Sequence, residues 1–251
     1  MRVLGLSLTV RVVALLFAPV FLAQGATARQ QTTPAQGPPV ESGTFRAPEL
    51  VELIKLDRRL RLDIRYATAN NFVGRPVYTQ ARAFLQRPAA LALARAHRAL
   101  RRKGYGLIVF DGYRPWRVTK LFWDLTPEDK RQFVADPARG SRHNRGCAVD
   151  LTLYDLRTKR EVRMPTPYDD FTERAHINYA GATPEQRAAR DLLRAAMEAE
   201  GFRVYEPEWW HYDFQDWQQY PILDLTFEEL DRRKDVRGQL SDGSQKPRLA
   251  S

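Results

Sequence analysis

Two short segments carry the residues whose types and spacing could do chemistry. His143 and Asp150 lie in SRHNRGCAVD, residues 141–150, separated by a glycine-containing turn. Glu208 and His211 lie in EWWH, three residues apart and flanking two tryptophans. Zinc-assisted hydrolysis needs three protein ligands drawn from His, Asp and Glu, a position left open to water, and a base beside that water. Two histidines and two acids supply such a donor set. Asp150 stands at the start of the apolar run VDLTL, where a carboxylate is costly to bury unless it is paired or metal-bound. Each histidine taken alone is more often a satisfied structural residue, and a lone Glu-x-x-His is a weak signal. The HExxH zinc helix is absent, which excludes that kind of metallopeptidase. His97 sits mid-helix among arginines and alanines and reads as a surface residue.

These residues need elements to hold them. Alternation at Leu60, Leu62 and Ile64 predicts a strand. Pro88 to Lys103 predicts a helix, with Pro88 in the first turn, basic residues in the last and Gly104 beyond it. GLIVFDGYRP reads as a buried strand running into a loop, and Trp116 to Leu125 as a second helix. CAVDLTLYD reads as a strand with Ala148, Asp150 and Thr152 on one face and Val149, Leu151 and Leu153 on the other. Thr183 to Gln186 is a capping box opening a helix that ends near Gly201. FRVYE and WWHYDF close the set as strands. Strands and helices mix without regular alternation, so the expected class is α+β. The expectation is a single domain with a central, mostly antiparallel sheet flanked by helices and the metal site at the sheet.

The chain has 251 residues, enough for one sizeable core. Arg2 and Arg11, the uncharged stretch Val12 to Ala23 and the small residues Ala26-Thr27-Ala28 come in the order of a signal peptide, assigned to residues 1–28. No cysteine near that cleavage site supports lipid anchoring. Residues 29–46 read as a flexible linker, 47–231 as the folded domain and 232–251 as a disordered tail. Formal charge is +10; removing Arg2 and Arg11 from 40 basic residues leaves 38 against 30 acidic, or +8. The arginines are scattered rather than gathered with exposed aromatics, which argues against nucleic-acid binding and fits an exported protein in an anionic envelope. The lone Cys147 rules out an internal disulfide.

SxHxxGxAxD followed by ExxH resembles the zinc signature of D-Ala-D-Ala metallopeptidases. DIRYATANNFVGRPVY, VFDGYRP, SRHNRGCAVDLTLYD, MPTPYDDF and PEWWHYDF together resemble the D-alanyl-D-alanine dipeptidase family of VanX type, in that family's order, across roughly residues 53–214. The resemblance implies one zinc per chain, with His143, Asp150 and His211 as ligands and Glu208 as catalytic base. It implies Arg114 as the cation facing the scissile carbonyl. Asp169 matches the carboxylate that receives the substrate's ammonium, with Asp170 as the alternative. Ser141 and Tyr66 match positions lining the substrate pocket. The implied partner is a small dipeptide, the implied location secreted or periplasmic, and the implied role peptidoglycan turnover or D-alanine scavenging. Two other readings stay open. One is a D,D- or L,D-carboxypeptidase on peptidoglycan stems; the other is a non-catalytic cell-wall binding protein.

Overall fold

A computed structural model describes residues 37–232. The signal-peptide span and the greater part of the tail lie outside the described residues. The core is a five-stranded sheet. Its strands are β2 (Arg61–Leu62), β4 (Tyr105–Asp111), β5 (Ala148–Asp155), β7 (Glu208–Phe214) and β6 (Phe202–Tyr205), in that spatial order. Only the β2–β4 pair is parallel, so the sheet is mostly antiparallel. A separate antiparallel pair, β1 (Leu50–Glu52) with β3 (Phe84–Gln86), was not foreseen. The helices are α1 (Leu53–Leu56), α2 (Arg87–Arg102), α3 (Trp116–Leu125) and α4 (Pro184–Glu198). The mixed α+β architecture is as expected, and among the described residues no helix is long and apolar enough to cross a membrane.

Period-two alternation builds the sheet. Leu107, Val109, Val149, Leu151 and Leu153 enter the main core fully buried, and α2 and α4 cover that side. Burying each such aliphatic side chain is worth about 1.5–3 kcal/mol. Asp150 and Thr152 take the alternate positions. The Thr183 cap is realised: its hydroxyl accepts from Gln186 N, and the Gln186 side chain accepts from Thr183 N. The strand expected through Leu60, Leu62 and Ile64 shrinks to two residues, because a 3-10 turn begins at Arg65 and Ile64 serves as its cap.

Two further findings bear on the expectations. His97 is not a surface residue. It is fully buried, and its Nδ1 lies 2.9 Å from Asp57 Oδ2, because α2 turns that face onto the chain leaving α1. Residues 37–46, in the span read as linker, form neither helix nor strand. Even so, Glu41 is docked: it accepts from Ile222 N at 2.6 Å and pairs with Arg145.

Candidate metal and active site

The site is assembled by the middle of the sheet. Asp150 on β5 and His211 on β7 are register partners in the antiparallel ladder, which brings their side chains together on one face. β4 contributes through an irregularity. Its pairing with β5 slips between Val109 and Asp111, so Asp111 rather than Phe110 stands opposite Asp150. Such bulges re-aim side chains near sites, and here the bulge turns Asp111 toward the metal ligands. His143 comes from a 3-10 turn, His143–Arg145, that Gly146 ends at φ +67. That left-handed conformation is open to glycine at little cost.

His143 Nε2, His211 Nδ1 and Asp150 Oδ1 form a triangle with sides of 3.1, 3.3 and 3.0 Å. Three atoms bonded at about 2.0–2.1 Å to one tetrahedral ion stand about 3.3 Å apart. The outer nitrogens are committed elsewhere. His143 Nδ1 donates to the Gly112 carbonyl at 2.7 Å, and His211 Nε2 donates to Asp213 Oδ1 at 2.9 Å. The inner nitrogens therefore present lone pairs to each other and to Asp150 Oδ1, which is buried with no hydrogen-bond donor. A cluster of facing acceptors calls for a cation, and the residues fit a metal. The surrounding acids also draw positive charge to the cluster, which a metal ion would supply in place of a proton on His211. Burial opposes both ionised forms, yet His143 and His211 hold Asp150 well below the carboxylate range, and Asp213 and Asp150 hold His211 well above the imidazole range.

Glu208 opens β7 three residues before His211, across the stretch where the pairing with β6 slips, and its Oε2 lies 3.8 Å from His211 Nδ1. Burial, joined by the charge of Asp150, pushes its carboxyl up to about 7 against the pull of His211 and Arg114. Arg114 is locked by Asp111, which accepts from its Nε at 3.0 Å and lies 2.8 Å from its Nη2; that Nη2 is 3.9 Å from Asp150 Oδ2. The Tyr66 hydroxyl donates toward Asp169 at 3.2 Å, whereas Asp170 accepts from Thr172 at 2.6 Å. Burial and the charges of Asp150 and Glu208 raise Asp169 well above its ordinary range. Ser141 is buried, and its hydroxyl accepts from His143 N at 3.2 Å.

Tyr66, Arg114, Ser141, His143, Asp150, Asp169, Glu208 and His211 all line one cavity of about 490 Å³, and Asp170 stands at its wall. Four contributors went unread in the sequence: Asp111, Tyr168, Asp213 and Asn144. Tyr168 donates to Asp150 Oδ2 at 2.9 Å. Asn144 ties the site together, donating to the Arg114 carbonyl and Thr119 and accepting from Ser141 N. Asp111 and Tyr168 stood inside segments already singled out, DGYRP and PYDDF, so a search for partners of Arg114 and Asp150 within them could have found both.

Residues 46–230 match the peptidase M15 family model described as D-ala-D-ala dipeptidase. The chain belongs to that family. The D-alanyl-D-alanine dipeptidase of Escherichia coli K12 is 35% identical over 175 residues, covering 70% of this chain and 89% of that protein. Those of Enterococcus faecalis and Enterococcus faecium are each 37% identical, covering 67% and 64% of this chain and 92% and 89% of theirs. As a member of the D-Ala-D-Ala dipeptidase family, the chain is a metallopeptidase, and the His143, Asp150, His211 cluster is where its metal can bind.

Proposed function

We propose that the chain is a zinc-dependent dipeptidase that hydrolyses free D-alanyl-D-alanine to two D-alanines. The observation that carries this reading is the convergence of ligands, base, cation and anchoring acid on one cavity. The names of the curated relatives support the substrate.

His143, Asp150 and His211 would hold the zinc. When bound, zinc supplies Lewis acidity, acidifying water and polarising a carbonyl oxygen. Glu208 takes a proton from the attacking water and delivers it to the nitrogen of the departing D-alanine as the C–N bond breaks. A carboxyl raised toward neutrality suits both halves of that transfer. Arg114, fixed by Asp111, keeps a positive charge where the carbonyl oxygen becomes negative, and a preset charge costs no reorganisation during the reaction. Asp169 receives the substrate's ammonium group beside the Tyr66 hydroxyl, and Ser141 borders the same space.

Charge balance favours this substrate. Asp111 is matched by Arg114, whereas Asp169 lines the cavity with the Tyr66 hydroxyl as its side-chain partner. An ammonium group on the substrate would supply the cation it lacks. The basic, apolar and small-residue order at the N-terminus supports export, to the periplasm or beyond. There the enzyme would serve peptidoglycan turnover or D-alanine scavenging rather than depletion of a cytosolic pool.

The test is release of D-alanine from the free dipeptide by purified chain, stripped with chelator and reloaded with zinc. Zinc-dependent release is expected. Its absence, with cleavage of longer stem peptides instead, would replace this reading with the carboxypeptidase one.

A further inference from the structure

We propose that Tyr168 is a positioning residue of the metal centre, its hydroxyl holding the outer oxygen of Asp150 so that the inner oxygen is presented to the two histidines. The inference rests on the metal reading above. The two oxygens of Asp150 have different surroundings. Oδ1 lies 3.3 Å from His143 Nε2 and 3.0 Å from His211 Nδ1 and has no hydrogen-bond donor. Oδ2 accepts from the Tyr168 hydroxyl at 2.9 Å. The cationic group near Oδ2, Arg114 Nη2, is 3.9 Å away, beyond hydrogen-bond range. Among the described residues Tyr168 is thus the hydrogen-bond donor that fixes which way the carboxylate faces.

The backbone is bent to allow this. Asp169 has φ 58, a left-handed conformation that few non-glycine residues adopt. In extended chain, neighbours project to opposite faces. The bend at Asp169 instead lets Tyr168 reach Asp150 while Asp169 lines the cavity and reaches Tyr66. The Tyr168 ring is held independently of its hydroxyl, with Phe110 at 4.8 Å and Trp210 at 5.5 Å between centroids. Removing the hydroxyl therefore leaves the packing in place. The Tyr168 hydroxyl also lies 3.3 Å from that of Tyr66. Its one proton goes to the nearer Asp150, and the Tyr66 proton is left for Asp169. Partners that orient a ligand in this way typically contribute 10–100-fold to metal affinity.

The experiment compares full-length wild type, Tyr168→Phe and Tyr66→Phe by competition with a chelator for zinc, and by the visible spectrum after cobalt(II) substitution. Tyr168→Phe is expected to bind zinc about 10–100-fold more weakly, to show shifted cobalt bands, and to melt like wild type when metal-free. Tyr66→Phe is expected to keep wild-type zinc affinity. Zinc affinity within about twofold of wild type in Tyr168→Phe would overturn the inference while leaving the metal reading intact. An equal loss in both variants would also overturn it, since the pocket rather than the Asp150 bond would then be responsible. So would a lowered melting temperature of the metal-free Tyr168→Phe chain, which would make the hydroxyl a structural support. A wild type that binds no zinc would remove the metal reading itself.

Discussion

Asp150 and His211 face each other across the β5–β7 ladder, with Asp150 Oδ1 3.0 Å from His211 Nδ1. Strand pairing thus sets two of the three proposed metal ligands, while the third, His143, arrives on a turn. The purified protein is expected to carry about one zinc per chain, as one three-ligand site requires. His211→Ala and His143→Ala are each expected to strip it. Metal analysis after dialysis checks this, and full occupancy in both variants would refute the ligand assignment.

In the proposed mechanism Glu208 moves protons and lies outside the His143, Asp150, His211 cluster. Glu208→Gln is expected to lower kcat by about a thousandfold or more while zinc content stays at the wild-type level. General acid–base groups contribute about 10²–10⁴-fold, and here one group would serve both halves of the reaction. Turnover near wild type, measured alongside metal content, would make Glu208 a structural acid.

Arg114 is held by two contacts to Asp111, so charge and direction can be separated. Arg114→Ala is expected to cost about 10²–10³ in kcat, the usual consequence of losing one preset oxyanion partner. Asp111→Asn, which keeps the guanidinium but loosens its hold, is expected to cost less. Steady-state kinetics on the free dipeptide read both; an Asp111→Asn loss larger than that of Arg114→Ala would contradict the assignment.

Free D-Ala-D-Ala is expected to be cleaved at least about a thousandfold better than its N-acylated form, because acylation removes the ammonium group that Asp169 would receive. Asp169→Ala should raise KM for the free dipeptide and narrow that gap. Asp170→Ala, whose carboxylate turns to Thr172, should do neither. Equal rates of the wild type on both substrates would overturn the dipeptidase reading.

The buried pair His97 and Asp57 makes a prediction about stability rather than catalysis. Burial holds His97 below its ordinary pKa despite the neighbouring carboxylate. Unfolding frees it to take up a proton at the ordinary value near 6.5, so the unfolded state binds more protons below that pH. The contribution is present above about pH 6.5 and is lost as pH falls through the lower, folded value. Urea unfolding should therefore show lower stability at pH 5.5 than at 7.5, and His97→Gln should reduce the difference. An unchanged pH dependence in the variant would assign it to other groups.

Much of this site was legible before its geometry. Residue types chosen for metal chemistry are few, and their motifs are local, so His143, Asp150, Glu208 and His211 stood out. The faces of β5 followed from alternation alone. What escaped was partnership. Asp111 stands opposite Asp150 only through a bulge, and the neighbours Tyr168 and Asp169 reach Asp150 and Tyr66 through a left-handed bend; neither irregularity has a periodic signature. His97 was misread because arginines beside it suggest solvent, whereas a single carboxylate forty residues upstream accounts for its burial. The β1–β3 pair was missed because three-residue strands are too short for alternation to register.

Glu41 gives the turn bearing His143 an unexpected dependency. Its carboxylate takes up Arg145, the last residue of that turn, and the Ile222 amide, thereby closing a loop of more than a hundred residues. A chain begun at residue 47 would keep every strand of the sheet yet leave the buried Arg145 guanidinium without its carboxylate. Trimming the chain to its first strand would therefore take away a partner of the turn that carries His143.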